Sequence, residues 1–229
     1  MSNESFNTYW KKIFLLNNFF EKLLLKNREE IFKIFEKKVD YNDNMTLLDV
    51  GTTASRSKVH NIILQKTANN RNVVCYSNQD CSNLKQDYKN ISKIVIGDGT
   101  KIEYDNNSFD IVHSSATIEH VGSEERQIQL IKECLRVSKN TVFITTPNRF
   151  YPIDFHTKLP LIHLFPKSIH RRLLKLLGLG FFAKEENLNL MDKNQIIRIC
   201  KKLKIENFKI ISHKFLFMTS NFIIIINKS

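Results

Sequence analysis

The spacing of apolar residues predicts a helical region at the start of the chain. Between Phe6 and Val39 these residues recur at helical intervals. They include Phe6, Trp10, Ile13 and Phe14 on one face, and Ile31, Phe32, Ile34 and Phe35 in a repeat of the pattern. Asn27 is a candidate break between two helices, and the polar cluster from Asp40 to Asn44 ends the region. We therefore expect an N-terminal helical cap over residues 1–44.

Five shorter apolar runs follow, each too short for a helix and typical of a buried strand. They are Thr46–Val50, Asn72–Tyr76, Ile94–Ile96, Phe109–His113 and Thr141–Thr145, the last ended by Pro147. A mostly polar stretch from Ser55 to about Lys66 and an amphipathic stretch from about Glu124 to Val137 are predicted helices. Strands that alternate with helices predict a parallel sheet covered on both faces.

The end of the chain departs from this alternation. Phe208–Ser212 and Phe222–Asn227 predict an antiparallel pair of strands at a sheet edge. Residues 151–190 contain three prolines and a basic helix from Ser168 to Leu177, and they form an insertion after the fifth strand. The predicted fold class is α/β, with a doubly wound, mostly parallel sheet domain over residues 45–229 that includes this insertion.

Composition adds one unusual number to this picture. The apolar fraction of 42% and the charged fraction of 25% are ordinary for a globular protein and argue against disorder or a fibre. The 35 basic residues exceed the 23 acidic ones, for a net charge of +12. This excess has two explanations: an anionic partner, or a chain that is simply rich in lysine.

The cysteines and the apolar runs point to a reduced, cytoplasmic environment. None of the four cysteines forms a C-x-x-C pair, so we expect free thiols. The polar N-terminus lacks an apolar signal core. The run from Phe222 to Ile226 is far shorter than the roughly 20 residues that span a bilayer. A cytoplasmic location is therefore the expectation.

Polar and acidic side chains follow every predicted strand. In strand order they are Asp49 with Gly51; Asp80; Asp98 with Gly99; His113, Ser114, Glu119 and His120; and Asn148 with Arg149. Parallel sheets bind ligands beyond the carboxyl ends of their strands, so these residues predict one site. A carboxylate after the second strand suits a ribose, and one after the third suits an exocyclic amine. Gly51 allows the backbone to approach a ligand closely.

Several stretches at these strand ends carry a resemblance to a known family. They are Leu47–Gly51, Asn78–Ser82, Gly97–Gly99, Asn107–Val112, His113–Val121 and Thr145–Arg149. Together they resemble the class I S-adenosylmethionine-dependent methyltransferases, and most closely the small type 11 methyltransferase domain. The resemblance covers about Thr46 to Arg149 and implies a Rossmann-like fold with S-adenosylmethionine as cofactor.

The resemblance also implies roles for individual residues. Asp49 and Gly51 would flank the amino-acid end of the cofactor, and Asp80 would hold its ribose. Asp98 with Gly99 would face the adenine, and His113 and Ser114 would line the floor near the methylthio group. The chain departs from the family pattern at Thr53 and Ser55, where two further glycines are usual.

The chemistry of methyl transfer leaves few demands on the protein, because the cofactor carries the activated group. A general base is needed only for a protonated acceptor, and the candidates are His113, Glu119, His120 and His156. His120 has the alternative role of anchoring its loop to the sheet. Glu119 and His120 are adjacent without a third ligand nearby, so no metal site is predicted.

The insertion is where we expect acceptor choice. The candidate substrate residues are Asn148, Arg149, His156, Arg171 and Arg172. The basic helix that carries the last two suits an anionic or lipid-linked acceptor and leaves a peripheral membrane contact open. The alternative is an amphipathic lid helix packed on the domain.

We therefore expect a methyltransferase that acts on a small-molecule, glycan or lipid-linked acceptor. A non-catalytic binding module on the same fold is the alternative that Thr53 and Ser55 motivate. An RNA methyltransferase is suggested by the charge, but no basic patch interleaved with aromatic residues supports nucleic-acid binding. A nicotinamide-dependent oxidoreductase is disfavoured because G-x-G-x-x-G is missing. The sequence does not predict an oligomeric state.

Overall fold

The structure, a computed structural model, describes residues 14–228, with side chains from Phe20 onward. The predicted helical positions Phe6, Trp10 and Ile13 lie outside this part of the chain. Helix α1 spans Phe14–Lys38 without interruption, so the predicted break at Asn27 is wrong. The Asn27 side chain is buried and donates to Asn221 Oδ1 at 2.9 Å, while its own oxygen lies 2.9 Å from His213 Nε2. The polar side chain of Asn27 therefore bonds helix α1 to the sheet and does not end the helix.

Seven strands form one mixed sheet, which confirms the predicted fold class. They are β1 Leu47–Val50, β2 Val73–Ser77, β3 Ile91–Ile96, β4 Phe109–Ser115, β5 Ser138–Pro147, β6 Phe208–Phe215 and β7 Met218–Asn227. Their order in the sheet is β3-β2-β1-β4-β5-β7-β6. The first five strands are parallel, whereas β7 is antiparallel to both β5 and β6. The carboxyl ends of β1 to β5 consequently meet at one edge.

The described residues form four more α-helices: α2 Ile62–Lys66, α3 Glu124–Val137, α4 Lys167–Leu176 and α5 Lys193–Lys202. Helix α3 has the predicted bounds, and the Ser123 side chain caps it by accepting from the Arg126 N–H. The helix predicted from Ser55 to about Lys66 begins only at Ile62, so the prediction is wrong for residues 55–61. The Asn61 side chain donates to the carbonyls of Thr53 and Ser55 and holds that segment as an irregular loop. Helix α5 was not predicted.

Apolar clusters cover both faces of the sheet. Helices α3 and α5 pack on one face through Leu130, Ile131 and Ile199. Helix α1 packs on the other through Phe32 and Phe35, in the same cluster as residues of β1, β2 and β5. The described part of the predicted cap therefore shares its core with the sheet. All four cysteines are buried and unpaired, as predicted. Within residues 14–228, no helix has the length and apolar character needed to cross a membrane.

Candidate functional site

A cavity of about 900 Å³ opens at the carboxyl edge of the sheet. Its walls come from the ends of β1 to β5, from helix α1 and from the insertion after β5. Its volume is at the upper end of the range of small-molecule sites in proteins. Several predicted site residues line it, namely Asp49, Gly51, Asp98, Gly99, His113, His120 and His156.

The floor of the cavity is built from two neighbouring strands. Asp49 at the end of β1 and His113 in β4 are register partners, and His113 Nδ1 lies 2.7 Å from Asp49 Oδ1. Asp49 also accepts from the Thr52 hydroxyl at 2.6 Å. Ser114 faces away from His113 because side chains alternate along a strand. It is fully buried and does not line the cavity, so its placement lends no support to the predicted floor role.

Gly51 makes a close turn possible directly after β1. Its φ of +93° is a conformation that side chains rarely adopt, and an added Cβ would overlap the side chain of Thr117. The following loop takes a different path from a glycine-rich turn. Asn61 holds it by bonding the backbone of Thr53 and Ser55, and Thr53 still lines the cavity.

The ends of β2 and β3 present amides, a carboxylate and an apolar wall. Asn78 and Gln79 line the cavity. Asp80 is exposed and outside the lining, and its carboxylate accepts from the Ser82 N–H at 2.8 Å. This placement does not support the predicted ribose contact by Asp80, because its carboxylate serves a local turn.

Asp98 and Gly99 lie beside the exposed side chain of Ile96, which also lines the cavity. Asp98 pairs with Arg126 at 2.8 Å and accepts from Thr100. Partial burial raises the pKa of Asp98, but the hydrogen bonds from Arg126 and Thr100 outweigh it and lower the pKa. Asp98 is therefore a carboxylate acceptor next to an apolar surface, which suits the amine and the face of a purine.

A chain of charged groups crosses the wall between β4 and the insertion. Glu119 is fully buried and accepts from the Thr146 hydroxyl at 3.0 Å. Its other carboxylate oxygen lies 3.6 Å from His156 Nε2, and His156 Nδ1 lies 3.0 Å from Asp154 Oδ1. Burial lowers the pKa of His156, but the hydrogen bond that it donates to Asp154 and the negative charges of Asp154 and Glu119 prevail and raise the pKa to about 9. His156 is therefore an imidazolium held between two carboxylates at neutral pH.

His120 is exposed and presents its ring to the same wall. Its Nδ1 lies 2.6 Å from the carbonyl oxygen of Asn187, and its ring meets His156 edge to face at 4.7 Å. A carbonyl oxygen only accepts, so Nδ1 carries the proton in the neutral ring and Nε2 keeps a lone pair. The predicted anchoring role and the predicted chemical role of His120 are thus carried by different nitrogens.

The remaining predicted substrate residues divide into two groups. Asn148 donates to the Thr219 carbonyl and accepts from Phe150, so it braces the start of the insertion. Arg149 and Arg171 line a separate small pocket together with Lys167, His163 and His170. Arg172 is exposed on helix α4.

Sequence reasoning missed three features of the site. Asp154 precedes His156 by two positions, a spacing that signals a local Asp–His pair. Lys167, one position before the predicted basic helix, lines the separate small pocket. Arg28 lines the cavity from helix α1, and no local signal in the sequence points to it.

The residues present fit the cofactor that the resemblance implies. Gly51 and Gly99 both line the cavity at strand ends, and an added Cβ would overlap Thr117 at the first and press on Leu130 and Val50 at the second. The cavity adds hydroxyl and amide groups for ribose hydroxyls and the Asp98 carboxylate for an amine. His113 and Asp49 close the floor between them.

The family comparison agrees with this fit. Residues 48–145 match the model of a family described as a methyltransferase domain. A curated relative, the tRNA (carboxymethyluridine(34)-5-O)-methyltransferase of Schizosaccharomyces pombe, is 34% identical over 67 residues. The match covers 29% of this chain and 29% of that protein, so it spans less than a third of the relative's length.

Solved structures of methyltransferases share the fold at low sequence identity. An S-adenosylmethionine-dependent methyltransferase from Archaeoglobus fulgidus has a TM-score of 0.56 at 14% identity, over 88% of this chain and 94% of the other. The magnesium protoporphyrin IX methyltransferase of Synechocystis PCC 6803, solved with bound SAH, has a TM-score of 0.55 at 12% identity, over 90% and 83%. At these identities the likeness establishes a common fold.

Proposed function

Residues 48–145 match a methyltransferase-domain family, and we propose that this chain is a class I S-adenosylmethionine-dependent methyltransferase that methylates an anionic, lipid-linked acceptor at a membrane surface. The observation that carries the proposal is the concentration of exposed apolar side chains at the cavity edge of the sheet. The sequence leaves small-molecule, glycan and lipid-linked acceptors open, and of these we propose the lipid-linked class.

We assign cofactor binding to the residues that line the cavity at the strand ends. When bound, S-adenosylmethionine supplies a methyl group activated by a sulfonium sulfur. Asp98 and Ile96 would hold the adenine, Asn78 and Gln79 the ribose, and Gly51 with Asp49 the amino-acid end. His113 would lie beneath the reacting groups. These residues bind and orient, and the walls of the cavity exclude water.

Large apolar side chains are exposed on the insertion to an unusual degree. They are Phe150, Leu161, Leu164, Phe165, Ile169, Leu176, Leu177 and Phe181. On helix α4, Ile169 and Leu176 are seven positions apart and share a face, with Leu176 83% exposed. Exposed apolar groups of this number mark an interaction surface, and here they accompany Arg172 and Lys175. Apolar residues flanked by lysine and arginine suit an anionic bilayer surface.

The hairpin between β6 and β7 adds to this surface. Asn221 of β7 pairs with Pro147 at the carboxyl end of β5, so the hairpin tip lies at the cavity edge of the sheet. The tip exposes Leu216, Phe217 and Met218, with Phe217 97% exposed. The Tyr151 hydroxyl donates to the Phe215 carbonyl and ties the tip to the insertion. A bilayer that contacts both elements would face the cavity.

The small pocket behind helix α4 suits the anionic part of such an acceptor. Arg149, Lys167 and Arg171 line it. Burial and the charge of Arg149 lower the pKa of Lys167, while Glu185 balances Arg171 at 3.4 Å. His163 Nδ1 and His170 Nε2 are buried without a hydrogen-bond partner among the described residues. The pocket volume of about 10 Å³ admits no more than a water molecule, so a phosphate group would bind at its mouth, beside Lys167 and Arg171.

The charged wall of the cavity would meet the nucleophile of the acceptor. A hydroxyl acceptor must lose its proton, and His120 Nε2 is the lone pair available to take it. The imidazolium of His156 would stabilise the negative charge that develops on the oxygen. Glu119 and Asp154 keep His156 charged for this task.

An RNA acceptor is a second candidate because of one comparison. The curated relative that matches 29% of this chain is named as a tRNA methyltransferase, and the net charge of +12 is compatible with RNA. The exposed apolar surface favours lipid over RNA, because RNA contacts rest on basic and stacking groups.

Vesicle co-sedimentation tests the proposal. The full chain should bind phosphatidylglycerol–phosphatidylcholine vesicles, and a Leu176→Ser, Phe217→Ser variant should lose most of this binding. Ile96→Ser changes an exposed apolar residue outside the insertion and hairpin, and it should retain vesicle binding. Equal vesicle binding by the full chain and both variants would count against a lipid-linked acceptor. A binding site on the full chain for which RNA competes and vesicles do not would also count against it.

A further inference from the structure

Three potential ligand atoms converge at the wall of the cavity. Glu119, His120 and His156 each offer one donor atom, and these atoms all lie within 4.8 Å of one another. From this arrangement we propose that the three residues bind a divalent first-row transition metal ion such as Zn²⁺, Co²⁺ or Mn²⁺. Two imidazoles and one carboxylate form a recognised ligand set for such ions when further positions stay open.

Each of the three side chains is oriented by a partner that leaves its donor atom available. The Asn187 carbonyl fixes the Nδ1–H of His120, and Asp154 fixes Nδ1 of His156. Thr146 occupies one oxygen of Glu119, whereas the other, Oε1, is buried and has no hydrogen-bond partner within residues 14–228. Metal-binding histidines characteristically donate their second ring nitrogen to a carbonyl or carboxylate. The cluster has this arrangement for both histidines.

The distances require only a small adjustment. Ligand atoms at about 2.1 Å from a tetrahedral ion lie roughly 3.4 Å apart. Glu119 Oε1 and His156 Nε2 are 3.6 Å apart, and the donor atom of His120 lies within 4.8 Å of both. The exposed ring of His120 would therefore shift toward the other two ligands when the ion binds. An ion at this point would replace the proton that His156 Nε2 holds toward Glu119, so binding would release a proton.

The charges around the cluster also favour a cation. Two buried carboxylates, Glu119 and Asp154, face His156 and attract a cation, whereas the positive charge of Arg28, which interacts with Glu119, acts in the opposite direction. Since His120 and His156 line the cavity, the open coordination positions of the ion would face the acceptor. The sequence did not predict this site because His156 is far from Glu119 and His120 in the chain.

The proposed role of the ion rests on the proposed function. A coordinated acceptor hydroxyl would lose its proton more easily, because the cation stabilises the oxyanion. With the ion bound, Nε2 of His120 and Nε2 of His156 would both be ligands. The ion would then replace His120 in activating the hydroxyl and His156 in stabilising the oxyanion, and the acceptor proton would pass to solvent. Binding of the metal itself does not depend on the acceptor, so it can be tested separately.

The test is metal binding to the full chain, prepared without a histidine tag and treated with chelator. Calorimetry with Zn²⁺ should give one site per chain, and Co²⁺ should give visible absorption of an imidazole-containing site. His120→Gln should weaken Zn²⁺ binding at least tenfold, and Asp154→Asn should weaken it about 10- to 100-fold by loosening His156. His60→Gln removes another histidine of the cavity and should bind Zn²⁺ as the parent does.

Two outcomes would overturn the metal site: no binding of Zn²⁺, Co²⁺ or Mn²⁺ by the parent chain, or undiminished affinity in His120→Gln. His120 is exposed, so its variant is expected to fold, and a thermal melt checks this. S-adenosylmethionine calorimetry on the same samples separates the two proposals. Binding of S-adenosylmethionine without binding of metal would rule out only the proposed metal site. Binding of metal without binding of S-adenosylmethionine would rule out the proposed function.

Discussion

His156 Nδ1 lies 3.0 Å from Asp154 Oδ1, two residues earlier in the insertion. The same Asp154 carboxylate accepts from the Thr157 hydroxyl at 2.7 Å, so it is fixed from two sides. Burial raises the pKa of Asp154, but these bonds and the His156 charge lower it well below its usual range. The pair therefore sets both the orientation and the charge of the imidazole that faces the cavity.

Replacing Asp154 by asparagine should destabilise the fold. Asp154→Asn removes a buried charge that accepts from His156 and Thr157, and about 2 kcal/mol of unfolding free energy should be lost. Urea denaturation in the presence of chelator measures this loss. Asp40→Asn, at an exposed position, is the matched control and should change little. Similar midpoints for both variants would show that the Asp154–His156 pair adds no stability.

Gly51 should be intolerant of a side chain. Gly51→Ala places a Cβ against Thr117 in a backbone conformation with positive φ, at a cost of roughly 1–3 kcal/mol. We expect affinity for S-adenosylmethionine to fall about tenfold or more, which is at least 1.4 kcal/mol. Calorimetry measures this fall.

Gly180→Ala is the control for that experiment. Its added Cβ would meet no atom within 4 Å, and the residue lies outside the cavity lining. It should bind the cofactor like the parent chain. Normal cofactor affinity in Gly51→Ala would mean that the turn after β1 does not contact the cofactor.

The residues after β2 separate two assignments of the ribose contact. Asn78 lines the cavity, whereas the carboxylate of Asp80 faces solvent and caps a local turn. We expect Asn78→Ala to weaken S-adenosylmethionine binding by about 1 kcal/mol, the usual contribution of a hydrogen bond, and Asp80→Ala to weaken it less. The opposite ranking in calorimetry would restore Asp80 as the ribose ligand.

His60 should make the fold sensitive to mild acid. Burial and the nearby charge of Arg28 lower the pKa of His60 from 6.5 to about 4. The unfolded chain therefore binds an additional proton between these values, and the contribution of His60 to stability is lost as pH falls from about 6.5 to 4. Urea midpoints across this pH range measure it. His60→Gln should show a shallower fall than the parent, and parallel curves would mean that His60 has an ordinary pKa.

The parallel strands and the polar residues at their carboxyl ends were predictable because short buried runs and their polar ends are local features. Asp49, Asp98 and His113, which line the cavity, were predicted in this way. The path of Thr53–Asn61 was not predictable, because a single asparagine side chain holds it. Asn27 was misinterpreted since its partners, Asn221 and His213, lie at the other end of the chain. His156 meets Glu119 only through the fold of the insertion.

The sequence indicated only part of the exposed apolar surface. The basic helix was recognised, but the exposure of Leu176 and Phe217 depends on which faces the sheet and the insertion cover. The hairpin tip joins the insertion through the bond from Tyr151 to Phe215, a contact between distant segments. The exposed apolar surface that we propose faces a bilayer therefore became apparent only when both elements were placed at one edge.

Transfer of labelled methyl groups tests the proposed acceptor most directly. The full chain is incubated with methyl-labelled S-adenosylmethionine and, in separate reactions, with total lipid extract in anionic vesicles, water-soluble small molecules and total RNA. We expect enzyme-dependent label in the lipid reaction, extractable into organic solvent and reduced in the Leu176→Ser, Phe217→Ser variant. Label that accumulates in RNA or in the water-soluble fraction, with none in lipid, would contradict a lipid-linked acceptor.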